Sequence, residues 1–155
     1  MIKYYIFIAL FVLLISCKSK QTNVVSSKAA KSLPFVELLS ISHSNIKESN
    51  FIVIESAKEL NTIYSTINMT RRPGYKIPDI DFNTHTVIGL FMGLKNTGGH
   101  SVKIDSIVTD NKETIVYCKE ISPKDDVVVT TLITHPCFIA SIVKTDKPIR
   151  FDWVK

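Results

Sequence analysis

From Thr86 onward the sequence runs with a period of two, in short stretches separated by polar turns, and no other feature restricts the fold as much. Thr86 to Leu94 (TVIGLFMGL) is apolar on both faces, with Gly89 and Gly93 on one of them; this is the pattern of a central strand covered on both sides. Ser101 to Val108 (SVKIDSIV) alternates: Val102, Ile104 and Val108 share one face, and Ser101, Lys103 and Asp105 the other. Thr109 to Glu113 supplies a turn, Thr114 to Glu120 returns, and Ser122 to Asp126 is a longer polar loop. Val127 to Thr134, Cys137 to Lys144 and Ile149 to Val154 complete the predicted strands. Strands this short, joined by links too brief for crossover helices, predict an antiparallel arrangement.

One helix interrupts the pattern. Ser56-Ala57-Lys58-Glu59 fits a capping box, with Leu60, Ile63, Tyr64 and Ile67 following as a single apolar stripe. Phe51 to Ile54 just before it reads as a strand, and RRPGYKIP after it as a turn-rich connection. The predicted fold is therefore mainly β (α+β), an antiparallel β-sandwich or half-open barrel with one amphipathic helix near residues 57–67.

The N-terminus predicts the compartment. Tyr4 to Ile15 is a 12-residue apolar run after Lys3, too short for a spanning helix of roughly 20 residues and suited to a secretory signal. Leu14-Ile15-Ser16-Cys17 resembles a bacterial lipobox, which implies cleavage before Cys17 and acylation of its sulfur. Residues 1–16 are read as a lipoprotein signal peptide, 17–32 as the acylated cysteine and a flexible tether, and 33–155 as one domain. Lys18 after the cysteine favours the outer membrane of the cell envelope. The formal charge of +5 belongs to the leader and tether: five of the 19 basic residues precede Leu33, which leaves 14 against 14 acids in the domain. A neutral domain has no basic footprint for nucleic acid.

Catalytic and metal signatures are sparse. Gly98-Gly99 opens into a period-two run, not a helix, so it is no phosphate cradle; a hairpin corner using positive φ is expected. His43, His85, His100 and His135 are scattered without metal-ligand spacing, and neither a metal nor a cofactor is expected. Arg71 and Arg72 read as a solvated loop pair; Asp79/Asp81 and Asp125/Asp126 read as turn chemistry or solvated charge. His135 and Cys137, two apart, would share a strand face, but Pro136 between them favours a plain buried cysteine beside a surface histidine. Cys118 and Cys137 are the thiols left in an exported chain. Either they close a loop of about 19 residues, worth roughly 3 kcal/mol, or they are separate buried side chains.

Pro78-Asp79-Ile80-Asp81-Phe82, the apolar strand, Gly93-Leu94-Lys95-Asn96-Thr97-Gly98-Gly99-His100-Ser101-Val102 and Thr134-His135-Pro136 together resemble the C-terminal domain of the protease complex subunit PrcB family. The resemblance runs from about Phe51 to Trp153. It implies a secreted or lipid-anchored, non-catalytic subunit that accompanies an extracellular proteolytic complex. His100 and Cys137 stand where the family usually has aromatics. The expected function is a non-enzymatic, lipid-anchored envelope module that binds a protease or another protein through Asn96, Thr97, Gly98, Gly99 and His100 and meets the membrane through the lipid on Cys17. The alternative is a protease inhibitor acting through the Asn96–His100 loop.

Overall fold

Strand β4 (His85–Met92) is apolar on both faces because both are covered. The computed structural model describes residues 30–124 and 126–154; the expected signal peptide, Cys17 and most of the tether lie outside them. Ile88, Leu90 and Met92 of β4 face a second sheet, while Val87 and Phe91 face the helix. The remaining elements are β1 (Lys31–Ser32), β2 (Phe35–Ile41), β3 (Ser49–Ile54), α1 (Ala57–Asn68), β5 (Ser101–Thr109), β6 (Thr114–Ile121), β7 (Cys137–Val143) and β8 (Ile149–Trp153). They make three layers: α1, a sheet ordered β2-β7-β4-β3, and a sheet ordered β1-β5-β6-β8. This is the mainly-β, sandwich-like α+β fold expected, with open edges and no closed barrel.

Helix α1 forms where its cap and stripe predict. Ser56 Oγ accepts the Glu59 amide at 3.3 Å, and Glu59 reaches back one residue further than a minimal capping box, accepting from the Glu55 amide at 3.0 Å. Leu60, Tyr64 and Ile67 are buried against Ile54, Val87, Phe91 and Ile139. Ile63 stays half-buried at the side of the stripe, over β3.

Five details depart from the sequence pattern. A register shift between Ile104 and Ser106 in β5 switches the face of the residues after it, so Ile107 enters the core in place of Val108. The same device in β2, between Glu37 and Leu39, lets both Leu38 and Leu39 pack on the helix side. Strand β8 pairs with β6 in parallel: β7, in the other sheet, carries the chain back to the starting end, so a strand does the work of a crossover helix. The domain also starts two residues early, with Lys31 and Ser32 paired to Thr109 and Val108.

The fifth departure is Val127–Thr134, which is not a strand beyond a single bridge between Thr134 and Lys95. The strands next to it in the chain offer it no seat: β7 already lies between β2 and β4, and β6 between β5 and β8. A β-prone sequence set between strands that are already paired on both sides has no neighbouring ladder to join.

Candidate partner-binding surface

At one end of the sandwich, where β5 begins and β6 ends, two loops meet: 93–100 and 122–136. The first does not close a hairpin between paired strands. It carries the chain from β4 in one sheet to β5 in the other, which corrects the expected role of the glycine pair. Its departure from β4 requires Gly93, at φ +69°, where a Cβ would stand 2.7 Å from the Ser49 amide nitrogen. Lys95 and Thr134 exchange backbone hydrogen bonds at 2.9 Å each, the Thr134 hydroxyl donates to Thr97 O at 2.9 Å, and the Gly98 amide donates to Thr130 O at 3.0 Å. A Cβ on Gly98 would lie 2.6 Å from Thr130 Oγ1, so this glycine permits close approach of the loops; Gly99, at φ +83°, makes the turn itself over Pro123.

The side chains of the same loop form a chain of polar contacts. Thr97 Oγ1 lies 3.1 Å from His100 Nε2, and His100 Nδ1 lies 3.2 Å from Ser122 Oγ. Ser122 donates to Glu120 Oε1 at 3.3 Å, and Lys95 Nζ donates to the same oxygen at 3.0 Å. His100, which departs from the aromatic that the resemblance would put here, thus ties the two loops together. Asn96 is exposed at the tip. Of the five residues singled out in this loop, Thr97, Gly98 and His100 hold its shape, Gly99 turns it, and Asn96 faces outward.

Apolar exposure concentrates beside them. Val128 is fully exposed, Val127, Leu132 and Ile133 are each more than half exposed, and Leu94 is 47% exposed. The sequence pattern conceals these residues because Val127–Thr134 has the composition of a strand. The available signal is an eight-residue uncharged β-prone run placed directly before strand β7, which has no vacant edge.

The other candidates resolve into structure. Arg71 donates from Nη2 to His43 O at 3.3 Å, and its guanidinium carbon sits 4.6 Å from the centre of the Tyr75 ring, so it pins the connection after α1. The Asp81 carboxylate accepts from the Asn83 amide and the Thr84 hydroxyl; these bonds hold it below the usual carboxylate range. Asp126 is exposed, and Asp125 lies outside the described residues. His43 and His135 meet through a parallel backbone bridge. Burial lowers the His135 pKa, with smaller contributions from His43 and Lys47, and its Nε2 is buried without a hydrogen-bond partner among the described residues. No group of three His, Cys, Asp or Glu side chains able to hold a metal occurs among the described residues.

Cys118 and Cys137 are both free and buried. Cys118 lies in the core between the sheets and Cys137 in the core under the helix, so the bridge left open by the sequence is not formed in this structure. Burial pushes each thiol up to about 12. A thiol held protonated is the opposite of an activated nucleophile.

Residues 86–143 match the family model described as PrcB C-terminal. That segment is PrcB-like. It covers β4 through β7 and contains both loops of the exposed end. No curated protein and no solved structure matches the chain.

Proposed function

We propose that this protein is a non-enzymatic, lipid-anchored envelope module that docks a protein partner, an extracellular protease complex in the first instance, with the surface formed by loops 93–100 and 122–136. The observation that carries the reading is the row of exposed aliphatics Leu94, Val127, Val128, Leu132 and Ile133 beside a loop held in one shape by hydrogen bonds. Exposed apolar side chains clustered on a rigid support mark interaction surfaces. The PrcB-like segment supports a protease-associated partner.

The anchor suits this geometry. The described chain begins next to β1, whose Lys31 pairs with Thr109 at the end of β5 opposite Ser101. A lipid on Cys17 would hold the domain from that end and present the loops outward, most favourably from the outer membrane. A photo-crosslinking residue at Val128, introduced in cells, is expected to trap one stoichiometric partner that the same residue at Lys112, on the opposite hairpin, does not. Equal labelling from both positions would defeat the surface assignment. Cys17→Ser should move the protein from the detergent phase to the aqueous phase; unchanged partition would remove the anchor.

A further inference from the structure

Among the described residues the two sheets have four outer edges, and three of them are guarded against pairing. Strand β1 is two residues long, β2 carries Glu37 and a register shift, and β8 carries Arg150 and Asp152, joined to each other at 3.2 Å. Short edges, bulges and charges are the ordinary ways of blocking edge-to-edge addition. The fourth edge, β3 (SNFIVI), has none: no charge, no proline and no bulge over its six residues.

Its free hydrogen-bonding groups can be assigned. Met92 donates to Pro136 O at 3.0 Å, on the β7 side of β4. In an antiparallel ladder the direction alternates, so Phe91, Gly89 and Val87 turn their amides and carbonyls to β3 and engage their register partners Asn50, Ile52 and Ile54. The amides and carbonyls of Ser49, Phe51 and Val53 then point away from the sheet.

Grooves lie along both sides of that edge. Between β3 and α1, one stretch of about 500 Å3 is walled by Ile52, Ile54, Thr62 and Ile63, and a second of about 460 Å3 continues past Asn50 and Phe91. On the opposite face a smaller groove of about 290 Å3 runs between β3 and Trp153, whose ring lies 5.0 Å from that of Phe51 and is 44% exposed. An added strand would send alternate side chains into the α1 groove and against Trp153, while its backbone met Ser49, Phe51 and Val53.

We propose that β3 accepts an extended, uncharged segment of a partner protein, with aliphatic side chains at alternate positions, as a fifth strand of its sheet. The rim charges Lys47 and Lys58 offset Glu48 and Glu59 and select for no net charge. The size of the edge favours a peptide segment over a second copy of the chain. Six strand residues span about 20 Å, and one strand's width of groove is about 10 Å; that footprint is well below the roughly 800 Å2 per partner of a stable interface. The site is separate from the loop surface and does not depend on it.

The test uses the domain with labelled synthetic decapeptides that alternate Val, Ile or Leu with Thr, read by amide exchange and by fluorescence. Bound peptide is expected to slow exchange at Ser49, Phe51 and Val53 by at least about tenfold. Thr62→Trp, on the exposed flank of α1, should fill the groove and weaken binding by about tenfold or more, and N-methylation of alternate peptide amides should do the same. Val128→Asp should leave peptide binding unchanged, which separates this site from the loops. Three results would overturn the proposal: no binding up to about 1 mM, binding indifferent to Thr62→Trp, or protection of the three amides without peptide alongside a doubled mass in light scattering, which would give the edge to a second copy.

Discussion

Two stretches of this chain have nearly the same chemistry and opposite fates. His85–Met92 and Val127–Thr134 are both eight-residue, β-prone and uncharged apart from a terminal histidine in the first. The first is the central strand, with Val87, Ile88 and Leu90 at 0% exposure; the second leaves Val128 at 100%. The difference lies in what stands beside them. Strand β4 has a neighbour on each side, a second sheet over one face and α1 over the other, whereas Val127–Thr134 comes between β6 and β7, whose flanks are already paired. Strand propensity measures fit to a half-buried pleated surface, and it decides nothing where no such surface is vacant.

The sharpest way to break this comparison is to place the same charge in both. Leu90→Asp buries an unpaired carboxylate in the core between the sheets. Large-to-small changes there alone cost about 2–5 kcal/mol, and a charge adds desolvation, against a total stability of about 5–15 kcal/mol. Loss of a cooperative thermal transition is expected. Val128→Asp should shift the midpoint by no more than a surface change of about 0.5 kcal/mol allows. If Val128→Asp unfolded the domain as well, the exposed run would be part of the core.

Legibility in the sequence divides along the same line. Strand β4 and helix α1 are readable because each declares itself locally, through covered faces or through Ser56, Glu59 and one apolar stripe. Strand β2 is not, because its bulge places Leu38 and Leu39 on one side and destroys the alternation. The bulge in β5 hides the true position of Val108 for the same reason, and the parallel β6–β8 pairing depends on where β7 turns, which no local pattern records. Of the candidate surface, the glycine loop is visible in its motif. The aliphatics facing it are not, since their exposure depends on which edges the rest of the chain has already filled.

A smaller effect concerns the glycines that deliver β4 to the loops. Gly93→Ala would bring a Cβ within 2.7 Å of the Ser49 backbone at a positive φ, and neither can yield cheaply. A loss of about 1–3 kcal/mol is expected in chemical denaturation. Gly98→Ala meets the Thr130 hydroxyl at 2.6 Å instead, a side chain that can rotate, so its effect on stability should be smaller while loop 122–136 shifts in amide spectra.

The buried thiols probe the covered region from inside. With Cys118 and Cys137 pushed up to about 12 and sealed in separate cores, neither should react with a disulfide reagent until the domain unfolds. Their labelling rates should therefore coincide and track global unfolding. Early labelling of Cys137 alone would show that the layer under α1 opens separately. Equal masses before and after reduction are expected for the domain, and a deficit before reduction would contradict the free thiols.

The pH dependence should separate the exposed end from the rest. Burial lowers the folded-state pKa of His135 from its ordinary 6.5. Its contribution to stability is therefore present above 6.5 and is lost as protons bind the unfolded chain below it. The carboxylate of Asp81 is also depressed, but its contribution falls only below its ordinary 3.8. Between about pH 7 and 5 the midpoint should decline, and His135→Asn should flatten that decline without altering the loss at lower pH. An unchanged slope in His135→Asn would place the titrating group elsewhere.

The smallest expected effect tests whether the exposed end is rigid because of its polar chain or because of its backbone. Lys95 and Glu120 are joined at 3.0 Å, with their side chains 27% and 38% exposed. Pairs so placed are worth about 0–1 kcal/mol, so Lys95→Met should barely change the denaturation midpoint. The Lys95–Thr134 backbone bridge and the Gly98 bond to Thr130 do not use the lysine side chain and should survive the substitution. Glu120 would then keep Ser122 as its only partner among the described residues, and amide shifts should be confined to Glu120, Ser122 and His100. Shifts reaching Val127–Ile133 would show that the polar chain, not the backbone, holds the aliphatic surface in place. In that case His100→Phe, which restores an aromatic but cuts the link to Ser122, should disturb the surface more than Lys95→Met does.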